Sequence, residues 1–196
     1  LNFAGHEITD QAWYGVDSST LETNRKYNMA GEYYDEFGNT LYYEDQVDNY
    51  KQNHLQIHWN QIYQNGWNSN FGIHFTNGKG FFENYNLGYG ASDYIDRRWI
   101  DNDFYGILYS LNKKTEDFNV NIGGSLNKYN GLHYGEYLWY DQINSPVNQY
   151  DFKEKFYDDF GDKGEFNIYA KIDYYISDRL TLYGDLQFRN IKYDAG

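Results

Sequence analysis

The chain has 196 residues and is both aromatic and polar, with 21% Phe, Trp and Tyr and a net charge of −13. This length is sufficient for one domain with a sizeable core. The absence of Cys excludes disulfides, zinc–thiolate centres and thiol catalysis. The acidic balance argues against nucleic acid as a partner, because binding it requires a basic surface.

Disorder and membrane-spanning helices are also disfavoured. The mean hydropathy is −0.90, yet the chain is rich in Tyr, Phe, Trp and Ile, whereas disordered chains are poor in such residues. The sequence has no run of 18 apolar residues, so no transmembrane helix is predicted. No signal peptide is recognisable. The chain starts at Leu1, in what reads as a loop, and stops directly after a strand-like run. We therefore expect it to be a fragment of a longer protein.

Period-two alternation of apolar and polar residues predicts β-strands. The clearest example is Leu55, Ile57 and Trp59, which alternate with polar residues and give the strand one apolar and one polar face. The six strand candidates span about residues 48–64, 67–82, 99–112, 117–130, 165–176 and 179–193.

The parity of the apolar stripes constrains the turns, because directly opposed residues of an antiparallel hairpin share a face. The predicted turns are Asn65-Gly66-Trp67, Lys114-Thr115 and Ser177-Asp178-Arg179. The first turn places His58 opposite His74 on the polar face, and the second places Lys113 opposite Glu116. Two opposed imidazoles could hold a metal, but no third ligand is evident. We therefore predict no metal site and no cofactor.

Long connections separate the predicted hairpins. Residues 1–47, about 83–98 and about 131–164 are rich in Gly, Asn, Asp and Tyr, and we predict that they are loops. Short turns at one end and long loops at the other are typical of outer-membrane barrels. The strand candidates also exceed the roughly 9–11 residues that cross a membrane. Residues 1–196 are therefore predicted to be part of one all-β domain, an antiparallel up-and-down transmembrane β-barrel segment with short periplasmic turns and long extracellular loops.

The same pattern predicts which side chains meet the membrane. Trp67 should mark the periplasmic interface, while Trp99 and Tyr50 should approach the outer one. The residues expected to form a lipid-facing stripe are Leu55, Ile57, Trp59, Phe71, Ile73 and Phe75. In a soluble β-sandwich, which alternates in the same way, this stripe would face a buried core instead.

No motif indicates catalysis, so we name no catalytic residue and expect no enzyme activity. The acidic residues 158–162 do not match the spaced carboxylates of an EF-hand and are predicted to be a solvated loop. The aromatic side chains Tyr134, Tyr137, Trp139 and Tyr140 could stack on a ligand or pack against each other. No residue-level substrate contact follows from the sequence.

Several stretches resemble TonB-dependent outer-membrane receptors of the Bacteroidetes type. The resemblance covers most of the chain and is strongest between about residues 9 and 106. Its motifs are typical of barrel strands and loops, and none of them is a catalytic or binding motif. The stretches are TDQAWYGV at 9–16, NRKYN at 24–28, QVDNYKQNH at 46–54, HFTNGKGFFE at 74–83 and RRWIDNDFYG at 97–106.

The resemblance implies a barrel of about 22 strands, filled by an N-terminal plug, in the bacterial outer membrane. Such a receptor imports a scarce nutrient with energy from an inner-membrane protein. Its partners would be membrane lipid, the rest of the barrel and its plug, a possible surface lipoprotein, and a small-molecule or glycan substrate. No plug and no energy-coupling box are recognisable in these residues. Six strands cannot close a membrane barrel, so further strands should pair with the first and the sixth.

Two other functions stay open. One is a soluble all-β glycan-binding module of a cell surface, which would hold its ligand with loop aromatics. The other is a passive porin or a barrel enzyme. Only the position of the apolar stripe separates the module from a membrane wall, because the stripe faces a core in one and lipid in the other.

Overall fold

The computed structural model describes residues 1–88, 92–141 and 154–196. It is 74% strand and 3% helix, so the predicted all-β class is confirmed. The elements are β1 (Asn2–Asp10), α1 (Ser18–Thr23), β2 (Glu32–Tyr34), β3 (Thr40–Tyr42), β4 (Val47–Ile62), β5 (Trp67–Asn86), β6 (Tyr94–Lys114), β7 (Phe118–Tyr140), β8 (Lys155–Ser177) and β9 (Leu180–Ala195).

Seven strands form one antiparallel sheet in the order β1-β4-β5-β6-β7-β8-β9, and β2 and β3 form a small separate hairpin. From β4 to β9 each strand pairs with its neighbour in sequence, which confirms the up-and-down topology. In the described chain β1 pairs only with β4 and β9 only with β8, so these two strands are the edges of the sheet. Six strands were predicted; β1 of this sheet and the hairpin of β2 and β3 were missed.

The connections differ at the two ends of the sheet. Short turns join β4 to β5, β6 to β7 and β8 to β9, and we call this end the turn end. At the opposite end, which we call the loop end, β1, β5 and β7 finish and β4, β6 and β8 start, and residues 11–46 lie there too. The predicted asymmetry of the connections is therefore present.

The first hairpin has the predicted parity but a shifted register. Its turn is formed by residues 64–66, because the amide of Tyr63 donates to the carbonyl of Trp67 at 2.8 Å. Gly66 supplies the left-handed conformation of this turn with a φ of 81°. His58 consequently faces Gly72, and the predicted opposition of His58 and His74 is wrong by two residues.

The other two turns test the same parity rule. The second turn is Glu116-Asp117, not Lys114-Thr115, and Lys113 faces Val120, not Glu116. In the third hairpin a bulge pairs Ser177 with Leu180, and beyond it the register is the predicted one. Parity permits register shifts of two or four residues, as in the first two hairpins, and only the local turn chemistry chooses among them.

The strands extend further into the predicted loops than alternation indicated. The ends of β5, β6, β7 and β8 lie within the predicted loops 83–98 and 131–164, of which residues 89–91 and 142–153 lie outside the described residues. β1 lies in the predicted first loop and covers the edge of β4, which was expected to pair with another part of the barrel. These segments mix polar and aromatic side chains on both faces without a regular alternation, so periodicity does not reveal them.

The described residues contain no buried hydrophobic side chain and therefore no apolar core. The chain exposes 14222 Å², whereas a compact monomer of this mass exposes about 9,700 Å². This excess is the surface of a sheet whose two faces are both largely open. No described helix is long and apolar enough to cross a membrane.

Candidate functional site

One face of the sheet carries the predicted stripe. In the first hairpin Leu55 pairs with Phe75, Ile57 with Ile73, and Trp59 with Phe71. Phe71 is half-buried, and the other five side chains are exposed. The six residues therefore lie together on one face, as alternation predicted.

The stripe continues on the same face across the next four strands, and we call the whole surface the apolar band. The register shows this continuity, since Ile73 pairs with Ile107 and Ile107 with Leu126. The further members on β6 to β9 are Tyr105, Ile107, Tyr109, Leu111, Phe118, Val120, Ile122, Leu126, Phe166, Ile168, Ala170, Ile172, Tyr174, Ile176, Leu180, Leu182, Leu186 and Phe188.

The apolar band is inclined to the strands. On β5 it occupies residues 67–75 and on β9 residues 180–188. The row of directly paired residues that starts at Phe71 on β5 reaches Phe188 on β9. At the loop end the band stops at Phe75 on β5 but at Phe188 on β9, which lies in the row of Phe71. The loop-end border is therefore four residues closer to the turn end on β9 than on β5.

The turn-end border moves by the same amount. The row of Trp67 reaches Gly184 on β9, and the band continues four residues further, to Leu180. Four residues over four inter-strand steps correspond to about 13 Å along the strands and about 19 Å across them, an inclination of about 35°. Two parallel borders, rather than scattered apolar residues, define this surface.

The two tryptophans predicted at the interfaces border the band differently. Trp67 is its last residue on β5 at the turn end, and the ammonium of Lys113 lies 5.6 Å from its ring. Trp99 is separated from the band by the row that pairs Lys79 with Asp101, whose side chains form a 2.7 Å ion pair. Trp67 thus lies directly at the border of the band and Trp99 does not, and the membrane-interface roles of both tryptophans stay predictions.

The opposite face is mainly polar. His54 hydrogen-bonds Thr76 at 2.9 Å and His74 hydrogen-bonds Asn127 at 3.0 Å. One ring nitrogen of each of these imidazoles is thus engaged by a protein side chain. Within residues 1–88, 92–141 and 154–196 no three His, Asp or Glu side chains come together as a metal site would require. Tyr50 also lies on this face, where it covers Gly78 and Gly80. Tyr50 and Trp99 therefore lie on opposite faces of the sheet, and the predicted approach of Tyr50 to the outer membrane interface stays a prediction.

Residues 11–46 fold against the loop end of the sheet, and we call them the cap. Gln11 and Gln46 are almost fully buried there. Gln11 donates to the carbonyls of Val47 at 3.2 Å and Glu83 at 2.8 Å, and Gln46 accepts from the amide of Tyr85 at 2.8 Å. These amides replace ladder hydrogen bonds where β4 and β5 separate, beyond the pair of Asp48 and Phe82, so the cap is attached through the backbone of the sheet.

A buried carboxylate makes the second attachment of the cap. Glu83 is 2% exposed, accepts from Arg97 at 2.7 Å and also accepts from the hydroxyl of Tyr43 in the cap. Burial, and then the hydrogen bond to Glu83, raise the pKa of Tyr43 well above its usual value. The Tyr43 hydroxyl therefore stays protonated and donates. A second buried carboxylate, Asp96, accepts from Arg98 at 2.7 Å.

Aromatic rings of the loop end pack mainly on one another. Tyr134 stacks on Trp99 at 5.9 Å, Tyr137 lies 4.9 Å from Tyr140, and Trp139 stacks on Tyr85 at 6.1 Å. Of the two roles predicted for these aromatics, the described contacts favour packing. Residues 158–162 lie in β8 and not in a loop, and Asp158 and Asp162 pair with Lys155 and Lys128.

No family model matches the chain, and neither does any curated protein. The candidate site is therefore defined by geometry: an exposed, inclined apolar band, a polar opposite face and a capped loop end. Sequence reasoning found the band but missed Gln11, Gln46 and Glu83, whose partners are distant in sequence. A Gln or Glu within an acidic, polar segment carries no local signal of burial.

Proposed function

We propose that this chain is part of the wall and outer loops of an energy-coupled outer-membrane transporter that imports a scarce nutrient. The strands β4 to β9 form the wall, with the apolar band toward lipid and the polar face toward the interior. The turn end lies on the periplasmic side and the cap on the outer side. The chain itself contributes no catalytic group and no cofactor.

The inclined apolar band carries this proposal. Strands of membrane barrels tilt by about 35–45° from the barrel axis, and lipid contacts a flat slab, so the apolar surface must cross successive strands obliquely. The inclination of about 35° in this sheet is of that size. The band is also nine residues long on both β5 and β9, and about 9–11 residues of a tilted strand cross the hydrocarbon.

The open edges support the same proposal. Within the described residues β9, and β4 beyond the end of β1 at residues 57–62, present unpaired backbone groups along one side, and such groups are costly in lipid. Further strands of the same barrel would pair with them and close the wall. Its partners would then be lipid outside, a plug or water inside, an inner-membrane energy-coupling protein below and the substrate at the cap, with a surface lipoprotein as a further candidate.

Energy coupling and nutrient import rest on the resemblance to TonB-dependent receptors. A passive porin or a barrel enzyme would have the same wall, and only substrate-dependent uptake that requires the energy-coupling protein separates them from a transporter. A soluble glycan-binding module would need a second layer over the apolar band. In the described residues the only other sheet is β2–β3, where Tyr33 of β2 stacks on Tyr85 at the loop end and leaves the band uncovered.

Neighbouring cysteines on β9 test the wall directly. The 196 residues contain no Cys, so Leu186→Cys and Gln187→Cys of the intact protein each introduce a single thiol into this segment. Both side chains are exposed, and they point to opposite faces. A bimane attached at position 186 should be quenched by brominated phosphatidylcholine in vesicles, and one at position 187 should not. A protein that folds without detergent and shields position 186 from labelling would contradict the proposal and favour the glycan-binding module.

A further inference from the structure

Three basic side chains lie side by side on the face of the apolar band, just beyond its loop-end border. His6 on β1 pairs directly with Lys51 on β4, and Lys51 pairs directly with Lys79 on β5. We call these three residues the basic row. All three are exposed. A row of bases is unexpected in a chain with 29 acidic and 16 basic residues.

The basic row is poorly compensated by the protein. Lys79 forms a 2.7 Å ion pair with Asp101, but Lys51 has no ion pair within the part of the chain that the structure describes. Like charges directly opposite each other in a sheet are destabilising, as in the pair of Lys51 and Lys79. The nearest positions on the same face of β1, β4 and β5 hold no acid; they are Ala4, Ile8, Asn49, Asn53, Asn77 and Phe81.

The distance between the basic row and the loop-end border of the apolar band indicates which group can neutralise the positive charge of the row. Leu55 is the last band residue on β4, and Lys51 lies four residues beyond it, about 13 Å along the strand. On a tilted strand this is about 10 Å along the membrane normal, a few ångströms beyond a headgroup layer of about 5–8 Å on each side of a hydrocarbon core of about 30 Å. The ammonium of a lysine can also extend several ångströms toward such a layer.

We propose that the basic row binds the phosphate of a lipid headgroup in the outer leaflet. This inference rests on the proposed function, because it requires the apolar band to lie in the membrane. The lysines supply the charge, and His6, held by a 2.8 Å hydrogen bond to Asn49, supplies a further polar group at the edge of the row. A bound phosphate would remove the repulsion between Lys51 and Lys79.

Native mass spectrometry of the intact protein in neutral detergent, with equal amounts of phosphatidic acid and phosphatidylcholine, tests this binding. The unmodified protein should retain phosphatidic acid preferentially. The double variant Lys51→Gln/Lys79→Gln should lose this preference by about tenfold, since each lysine near an anionic surface adds a few-fold to affinity. The variant Lys51→Arg/Lys79→Arg should keep it.

A charge-matched control lies on the opposite face of β8. Lys163→Gln/Lys171→Gln removes the same charge from the polar side and should leave the preference unchanged. Equal retention of the two lipids by the unmodified protein, or an unchanged preference in Lys51→Gln/Lys79→Gln, would overturn the inference while leaving the membrane wall intact. A protein that retains neither lipid and is monodisperse without detergent would overturn the proposed function as well.

Discussion

The turn-end and loop-end halves of the same strands differ in which side chains they bury and in what covers them. At the loop end, carboxylates such as Glu83 and Asp96 are buried and satisfied by arginines, and aromatic rings stack on one another. At the turn end, one face carries apolar side chains that no described residue covers. The loop end therefore completes its own contacts, whereas the apolar band is left uncovered by the described residues, and under the proposed function lipid covers it. Each long strand thus has one half with polar and aromatic contacts and one half with an apolar face, which explains why the composition is both aromatic and polar.

The largest test of this contrast places a charge within the apolar band. Ile172 lies near the middle of the band on β8. Ile172→Arg should destabilise the folded protein in lipid by about 2–4 kcal/mol, the cost of arginine at the bilayer midplane. Urea titration in phosphatidylcholine vesicles, read by heat-modifiability on a gel, measures this cost.

Asn167→Arg is the matched control, because Asn167 lies on the polar face of the same strand. It should cost much less than Ile172→Arg. Equal costs at both positions would mean that the two faces meet similar surroundings, and the contrast between a lipid-facing and an interior face would fail.

A smaller effect is expected at the loop end, and it should be local. Glu83→Gln removes the charge that accepts from Arg97 and Tyr43. Hydrogen bonds to charged groups contribute about 1.5–3 kcal/mol, so opening of the cap should become roughly 10–100 times more frequent. Tryptic cleavage after Arg25 and Lys26 in the cap should accelerate accordingly, because proteolysis follows the population of the open form.

Asp101→Asn provides the comparison for this variant. It breaks the exposed ion pair with Lys79, and exposed pairs contribute about 1 kcal/mol or less. Cleavage of the cap should therefore stay near its original rate. If Glu83→Gln left cleavage unchanged as well, the cap would not be attached through this carboxylate, and the loop end would not complete its own contacts as described.

The two halves also differ in how far the sequence predicted them. Alternation at Leu55, Ile57 and Trp59 identified the strands, their faces and the hairpin parity at the turn end. A strand with one apolar and one polar face has apolar residues at every second position, and this pattern is visible in the sequence. The slope of the band could not be predicted, because it depends on the register across five strands, and the paired residues in the first two hairpins differ from the predicted ones by two and four positions. At the loop end, long-range polar pairs such as Arg97 with Glu83 hold the strands. Polar pairs leave no periodic signal, so β1, the cap and the basic row were missed.

The smallest expected effect concerns the turn that fixes the first register. Gly66 has a φ of 81°, and a Cβ added there would meet nothing within 4 Å. Gly66→Ala should therefore cost about 1 kcal/mol through backbone strain alone. Gly164→Ala on β8 adds the same methyl group, also into open space, without a positive φ, and should be nearly neutral. The difference in denaturation midpoint between the two variants measures the strain. An unchanged midpoint for Gly66→Ala would show that this turn does not need the left-handed residue, and that the apolar pairing of β4 with β5 alone sets the register.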